Sequence, residues 1–430
     1  MIPIVSYKER NEKLRSIMSR QASFNPDVDR TVRSIIDAVR QNGDDAVRSF
    51  TKEFDNAVVS KLKVSPPQLA SAFETLSADF KSILEEAAHN IRQFHEKQLP
   101  DSWFMDDGAG VMLGQRVVPI QRVGVYVPGG KAFYPSSLLM NVIPAQVAGV
   151  SEIHIVSPPG SNGLPSTLVM GAAHLLGVKN VYAVGGAQAV AALAFGTESI
   201  PGVDKIVGPG NVYVATAKKQ VFGPVDIDSV AGPSEIVVLA DDTAQSKYVA
   251  ADLLSQAEHD EDASAILVTP SWQLAESVCR DLETMVPALS RKAIMTQSLG
   301  TYGACVVTDT LSQAIEVVNE LAPEHLEIMT ADPWHDMTHI VHAGAIFLGP
   351  YSSEPVGDYF AGPNHVLPTG GTARYASALS VDDFIRKQSI IRYTREKLKQ
   401  TGPKIIDFAN AEELTAHAHA IAVRLEDEDQ

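Results

Sequence analysis

Cysteine is scarce. Only Cys279 and Cys305 occur in 430 residues, too few for the disulfide framework of a small secreted domain and without the CxxC pair of a zinc-thiolate site. Both stand among apolar neighbours and read as reduced core thiols. Long hydrophobic runs are missing as well. The longest apolar stretch, near 189–195, falls far short of the ~20 residues that a membrane span needs. The first residues show no basic segment followed by an apolar one, so no secretory leader is read there and a cytoplasmic location is expected. No block of Lys and Arg appears, and the net charge is −17. Such an acidic chain repels nucleic-acid phosphates and anionic membranes, so neither is expected as a partner. The chain also lacks a Walker loop, a Gly-x-Ser-x-Gly elbow and a His-Glu-x-x-His motif. Gly108-Ala-Gly110 and Gly208-Pro-Gly210 both miss the third glycine of the dinucleotide fingerprint.

What is present is an ordinary globular composition, 45% hydrophobic and 20% charged. A single core rarely grows beyond ~250–300 residues, so at least two domains are expected. Residues up to about 100 read as helices: one over 27–40 that Gly43 stops, and a second over 69–98. A strand-rich stretch covers 111–127. From about 135 onward, short Val/Ile runs alternate with helical segments, which predicts βαβ units and largely parallel sheets. One α/β domain is placed at 126–236 and another at 237–378. The helical section before 126 is expected to pack on the latter, and the last fifty residues to form a polar helical arm.

Four Gly-rich loops stand out: Tyr126-Val-Pro-Gly-Gly130, Gly185-Gly-Ala-Gln188, Gly208-Pro-Gly-Asn211 and Ala231-Gly-Pro-Ser234. Each is either a plain turn or a place where backbone and a helix N-terminus can approach a phosphate; four in one region favour a nucleotide site beyond the carboxyl ends of the strands. In Ser255-Gln256-Ala-Glu258-His259-Asp260-Glu261-Asp262, Gln256 and His259 are spaced to share a helix face. The acidic residues there oppose the helix dipole, so the segment is either a solvated helix end or one side of a cation site. Glu324-His325 stands at a helix-to-strand junction, where an imidazole and a neighbouring carboxylate can move protons near neutral pH. The stretch from Glu354 through Asp358 to His365, and the Glu412/His417 pair near the end, offer further candidate ligands or caps.

Read together, these motifs resemble histidinol dehydrogenase. The segments that carry the resemblance are Val125-Tyr126 to Ser137, Gly208-Pro-Gly-Asn211-Val-Tyr-Val, Ala231-Gly-Pro-Ser-Glu235, Asp252 to Asp260, Ala322-Pro-Glu-His325-Leu, Gly357-Asp-Tyr, Gly362-Pro-Asn-His365 and the Glu412/His417 spacing. They run through nearly the whole chain in the same order. The resemblance implies an α/β fold of two incomplete Rossmann-like domains with parallel sheets, a helical N-terminal section, a C-terminal arm and an intertwined homodimer. It divides the chain into an extension (1–21), a zinc-bearing and catalytic domain (22–125 with 237–378), an inserted NAD-binding domain (126–236) and an arm that reaches the partner (379–430).

The implied reaction is the NAD- and zinc-dependent oxidation of L-histidinol to L-histidine through bound L-histidinaldehyde, the last step of histidine biosynthesis. Glu324 and His325 match the catalytic pair. Gln256, His259, Asp358 and His417 match the zinc ligands. Ser234, His325, Glu412 and the ligands match the substrate site, with His365 a weaker candidate. Tyr126, Gln188 and Asn211 match the NAD contacts, and His417 and Glu412 are expected from the partner subunit. The rivals are a same-fold dehydrogenase of another small alcohol, such as sulfopropanediol, and a zinc hydrolase in which Glu324 activates water. Glu412 disfavours a sulfonate, and formation of NADH from histidinol separates all of these.

Overall fold

The computed structural model describes residues 2–19, 26–129, 134–230 and 232–426. The loop positions 130–133 and 231, and residues 20–21 of the expected extension, lie outside them. The chain divides into two compact units, Met1–Gln98 with Ile120–Phe384 and Leu99–Pro119 with Ile385–Gln430.

The first unit holds two parallel sheets. One has the order Asn180–Ala183, Glu152–Ser157, Arg122–Tyr126, Lys205–Val207, Asp226–Ile227. The other has the order Ile4–Ser6, Ala304–Val307, Ser264–Thr269, Glu235–Ala240, His325–Met329, Ala345–Leu348. Their central strands are buried on both faces, which is why they read as unbroken Val/Ile/Leu runs rather than alternating ones. Among the described residues no helix is long and apolar enough to cross a membrane.

The helical section before 126 packs mainly elsewhere than was expected. Val32, Ile35, Val39 and Val47 share a buried cluster with Ala187, Ala189, Val190 and Leu193, and Leu84, Ala87 and Ile91 share another with Leu139, Met140 and Ile143. Residues 26–98 therefore pack mainly on the layer that covers the five-stranded sheet, and reach the 237–378 segment through helix Ala78–Glu96, where Asn90 Nδ2 donates to Phe360 O at 3.0 Å. The cause lies in helices such as Gly186–Phe195, whose residues 187–193 are all buried. A helix that is apolar all round needs a second layer over it. The extension, expected as helical, is a helix over Arg10–Ser19 but opens with Ile4–Ser6, a parallel edge strand of the six-stranded sheet in register with Cys305 to Val307.

The second unit is an antiparallel sheet in the order Ile385–Tyr393, Val111–Pro119, Trp103–Asp106, followed by helices Arg395–Ala411 and Thr415–Glu426. The arm thus opens with a strand instead of being wholly helical. Its pairing partner lies far upstream, and local periodicity carries no sign of such a distant partner.

Helix Pro26–Asp55 is interrupted at Gly43 (φ 52°, ψ −131°) and resumes beyond it, so this glycine bends the helix rather than stopping it. The bend is tied down by Asp44, whose carboxylate accepts from Thr197 Oγ1 (2.7 Å), from Ser199 N (3.2 Å) and from Arg48 (3.0 Å). Burial opposes the charge of Asp44, but the hydrogen bonds from Ser199 and Thr197 and the Arg48 cation outweigh it and hold its pKa below the ordinary value. A carboxyl depressed in the folded state stabilises above its unfolded pKa, and that stabilisation is lost as pH falls through the folded value. Asp44→Ala should lower the unfolding free energy by about 1–3 kcal/mol at neutral pH. In denaturant titrations at successive pH values, the deficit should shrink on acidification below the ordinary carboxylate range; a deficit independent of pH would contradict this role.

Candidate active site

Each parallel sheet of the first unit has a point at which strand order reverses. In the five-stranded sheet it lies between Arg122–Tyr126 and Lys205–Val207; in the six-stranded sheet, between Glu235–Ala240 and His325–Met329. Tyr126 and the Gly208–Asn211 loop sit at the carboxyl ends of the first pair, as open parallel sheets usually arrange their ligands. Ser234, Glu324 and His325 sit at the amino ends of the second pair, so the carboxyl-end expectation holds for one sheet and reverses for the other. A cavity of about 330 Å³ joins these edges and brings together Ser234, Gln256, His259, Glu324, His325, Asp358 and His365.

The catalytic candidates are held by the backbone of one neighbour. Glu324 Oε2 accepts from Glu235 N (2.8 Å), and His325 Nδ1 lies 3.0 Å from Glu235 O. A carbonyl can only accept, so Nδ1 carries the proton and Nε2 keeps its lone pair. That Nε2 is shielded from solvent, lacks a hydrogen-bond partner and stands 3.9 Å from Asp358 Oδ1. Burial lowers the His325 pKa to about 3 and leaves the imidazole neutral. Burial also raises Glu324 well above the usual carboxylate range, against the pull of the Glu235 N–H.

The metal-ligand candidates show the same kind of poise. His259 Nδ1 faces Ser255 O at 2.9 Å, which puts the proton on Nδ1 and leaves the Nε2 lone pair for a ligand bond, the arrangement common to metal-bound histidines. Gln256 is fully buried, yet neither atom of its amide has a partner. Ligand atoms of His259, Glu354 and Asp358 lie within 4.8 Å of one another. Asp358 is carried on the wide turn Gly357–Ala361, a form of helix that recurs at functional sites. Burial raises the pKa values of Asp252, Glu327, Glu354 and Asp358. A divalent cation would discharge this acidic cluster, and the amide, imidazole and carboxylate set suits a borderline cation such as zinc.

Glu354 lies in the stretch that offered candidate ligands in the sequence, but it is not among the zinc ligands that the resemblance implies. Its signal was the Glu354/Asp358 spacing of four, which puts two carboxylates on one side of a turn. It receives Ser255 Oγ at 2.7 Å, and its backbone N–H donates to Glu327 Oε1 at 2.7 Å. His365 is held by Nδ1 against Asp358 O at 3.1 Å, and burial lowers its pKa to about 4.

Tyr126, Gln188 and Asn211 line a larger cavity of about 1100 Å³ that shares Pro128 and Asn211 with the first. Tyr126 Oη accepts from Gly186 N (3.0 Å), and both amide atoms of buried Gln188 are unpartnered. Asn211 Oδ1 caps helix Val212–Val221. Lys218 anchors the loop between them, donating to Gly208 O at 3.0 Å and pairing with Asp228. Glu412 and His417 are not among these residues: Glu412 closes helix Arg395–Ala411 in the second unit and His417 lies near the start of Thr415–Glu426, both exposed.

Gly344 N donates to Pro323 O, and Ala345 N to Glu324 O, each at 2.9 Å. A Cβ on Gly344 would meet Glu324 O at 2.5 Å. Gly344→Ala should therefore displace the backbone that carries Glu324 and His325 and cut turnover at least about tenfold, a 1.4 kcal/mol effect, in a folded enzyme; unaltered turnover would show that the site tolerates the shift.

The histidinol dehydrogenase family model matches residues 18–425. Histidinol dehydrogenase of Halalkalibacterium halodurans is 58% identical over 398 residues, which cover 92% of this chain and 94% of that protein. The Bacillus subtilis histidinol dehydrogenase is 54% identical over 395 residues, 92% of each chain. A crystal structure of histidinol dehydrogenase from Elizabethkingia anophelis, 37% identical, matches with a TM-score of 0.93 and covers 99% of this chain and 98% of its own. With likeness of this extent in both sequence and fold, the chain belongs to the histidinol dehydrogenase family.

Proposed function

We propose that this oxidoreductase of histidine biosynthesis converts L-histidinol to L-histidine in two successive oxidations through an enclosed aldehyde. The observation that carries the reading is His325 Nε2, buried and without a partner, in the cavity that also holds Gln256, His259 and Asp358. A zinc ion would be held by Gln256, His259, Asp358 and the partner subunit's His417, and would supply a Lewis-acid anchor for the substrate's ring and amine. NAD would be held by Tyr126, Gln188 and Asn211 in the adjoining cavity and would supply the hydride acceptor.

His325 Nε2 takes the alcohol proton, while the Glu235 carbonyl keeps the other nitrogen protonated and the ring aligned. Glu324 takes a proton from the water that adds to the aldehyde carbon and gives the hydrate. His325 then deprotonates the hydrate in the second oxidation. Ser234 lines the substrate cavity, and the partner subunit's Glu412 offers a carboxylate to the substrate ammonium.

A second copy is favoured by the apolar surface of the second unit. Trp103, Phe104 and Met105 are 49%, 56% and 54% exposed on an edge strand, and Ile391 and Phe408 are 72% and 69% exposed. Surface of this kind marks an interface.

His325→Asn should reduce NADH formation from both histidinol and histidinaldehyde by about 10²–10⁴-fold with little change in zinc content. Glu324→Gln should slow the aldehyde step more than the alcohol step in single-turnover assays. Wild-type rates in the first variant, or equal slowing in the second, would remove the assigned role. The shared site is checked by co-expressing His259→Ala with His417→Ala: mixed dimers should regain one intact site and measurable activity, whereas a mixture as inactive as its parents would place His417 elsewhere.

A further inference from the structure

The larger cavity has an uneven charge distribution. Among its described lining residues there is no Lys or Arg, and the one charged side chain is Asp55. Asp55 Oδ2 is shielded from solvent and has no hydrogen-bond partner. Burial pushes its carboxyl up to about 6. Asp55 is also the last residue of helix Pro26–Asp55, where the helix dipole disfavours a carboxylate. It is thus an acid held at a local disadvantage in the wall of a cavity, with one carboxylate oxygen unpartnered.

In a complete dinucleotide fold, an acid at the end of the second strand binds the ribose hydroxyls. The corresponding strand here is Glu152–Ser157, which runs into Pro158 and Pro159 and offers no carboxylate at its carboxyl end. Asp55 brings one to the same cavity from a helix outside the sheet. Next to it Phe54, half-exposed and stacked on Phe50 at 5.6 Å between centroids, supplies an aromatic surface of the kind a purine stacks on. Helix Gly186–Phe195 begins at this cavity with no side-chain cap; the Gly186 N–H is taken by Tyr126 Oη, and the N–H groups that follow it in the first turn remain for a diphosphate.

We propose that Asp55 sets the cofactor specificity of this enzyme: its carboxylate accepts hydrogen bonds from the hydroxyls of the adenosine ribose and excludes a dinucleotide that carries a 2′-phosphate. The proposal rests on reading the larger cavity as the NAD site. A 2′-phosphate brings up to two negative charges against a carboxylate, with no cation among the described lining residues to offset them.

The test is calorimetric titration of the zinc-loaded dimer with NAD and with NADP, without substrate, for the wild type, Asp55→Asn and Asp55→Ser. Thermal melts of the same samples report folding. The wild type should bind NAD at least about 100-fold more tightly than NADP, the size of a like-charge clash of several kcal/mol. Both variants should bind NAD more weakly and bring the two affinities within about tenfold. An unchanged NAD-to-NADP ratio in either folded variant overturns the role of Asp55 and leaves the cavity as the NAD site. A wild type that binds both equally also overturns it. A wild type that binds neither overturns the cavity assignment, and the specificity proposal with it.

Discussion

The peptide groups of Glu235 hold the reactive pair. Its N–H takes Glu324 and its C=O takes His325, at 2.8 and 3.0 Å. Glu235 opens the central strand of the six-stranded sheet, and His325 opens the neighbouring strand, one register step away: His325 pairs with Ile236. Parallel pairing therefore aligns the two strand starts, and that alignment fixes both the imidazole tautomer and the carboxyl orientation. Side chains held by backbone hydrogen bonds across a sheet are more rigid than side chains held by a loop, and a site that must place an acid-base group against a substrate depends on such rigidity.

The second constraint is electrostatic. Asp252, Glu327, Glu354 and Asp358 are gathered behind and around the pair, each with its pKa raised first by burial. Buried carboxyls without cations destabilise a fold. Here Glu327 is partly offset by the Glu354 N–H and Glu354 by the Ser255 hydroxyl, while the unpartnered amide of Gln256 remains open. A cation placed there would satisfy the amide, the imidazole of His259 and the carboxylates together, so the cluster is a candidate metal site by what it leaves unsatisfied as much as by what it binds.

The two parallel sheets divide the work. The five-stranded sheet offers its carboxyl ends, with uncapped and glycine-opened helix starts suited to phosphate. The six-stranded sheet offers its amino ends, where helix-to-strand junctions carry Gln256, His259, Glu324 and His325. The cavities share Pro128 and Asn211, so groups bound in the two would meet at a common wall.

Much of this was legible in the chain itself. The alternation of Val/Ile runs with helical segments determined a parallel α/β fold, because a strand buried on both faces must be apolar throughout. The residue types at 256, 259, 324, 325 and 358 determined which chemistry was available. Tertiary structure alone decided the rest. Residues 26–98 pack mainly on the layer over the five-stranded sheet because that layer's helices are apolar on all sides, a demand made by a partner and invisible in the covering helix. The strand Ile385–Tyr393 forms because Val111–Pro119 lies beside it, and Glu354 joins the candidate ligands because its carboxylate, held by the Ser255 hydroxyl, lies near His259. Local periodicity records which face of a segment is apolar; it holds no record of what that face will meet, since contacts between residues hundreds of positions apart exist only after the chain has folded.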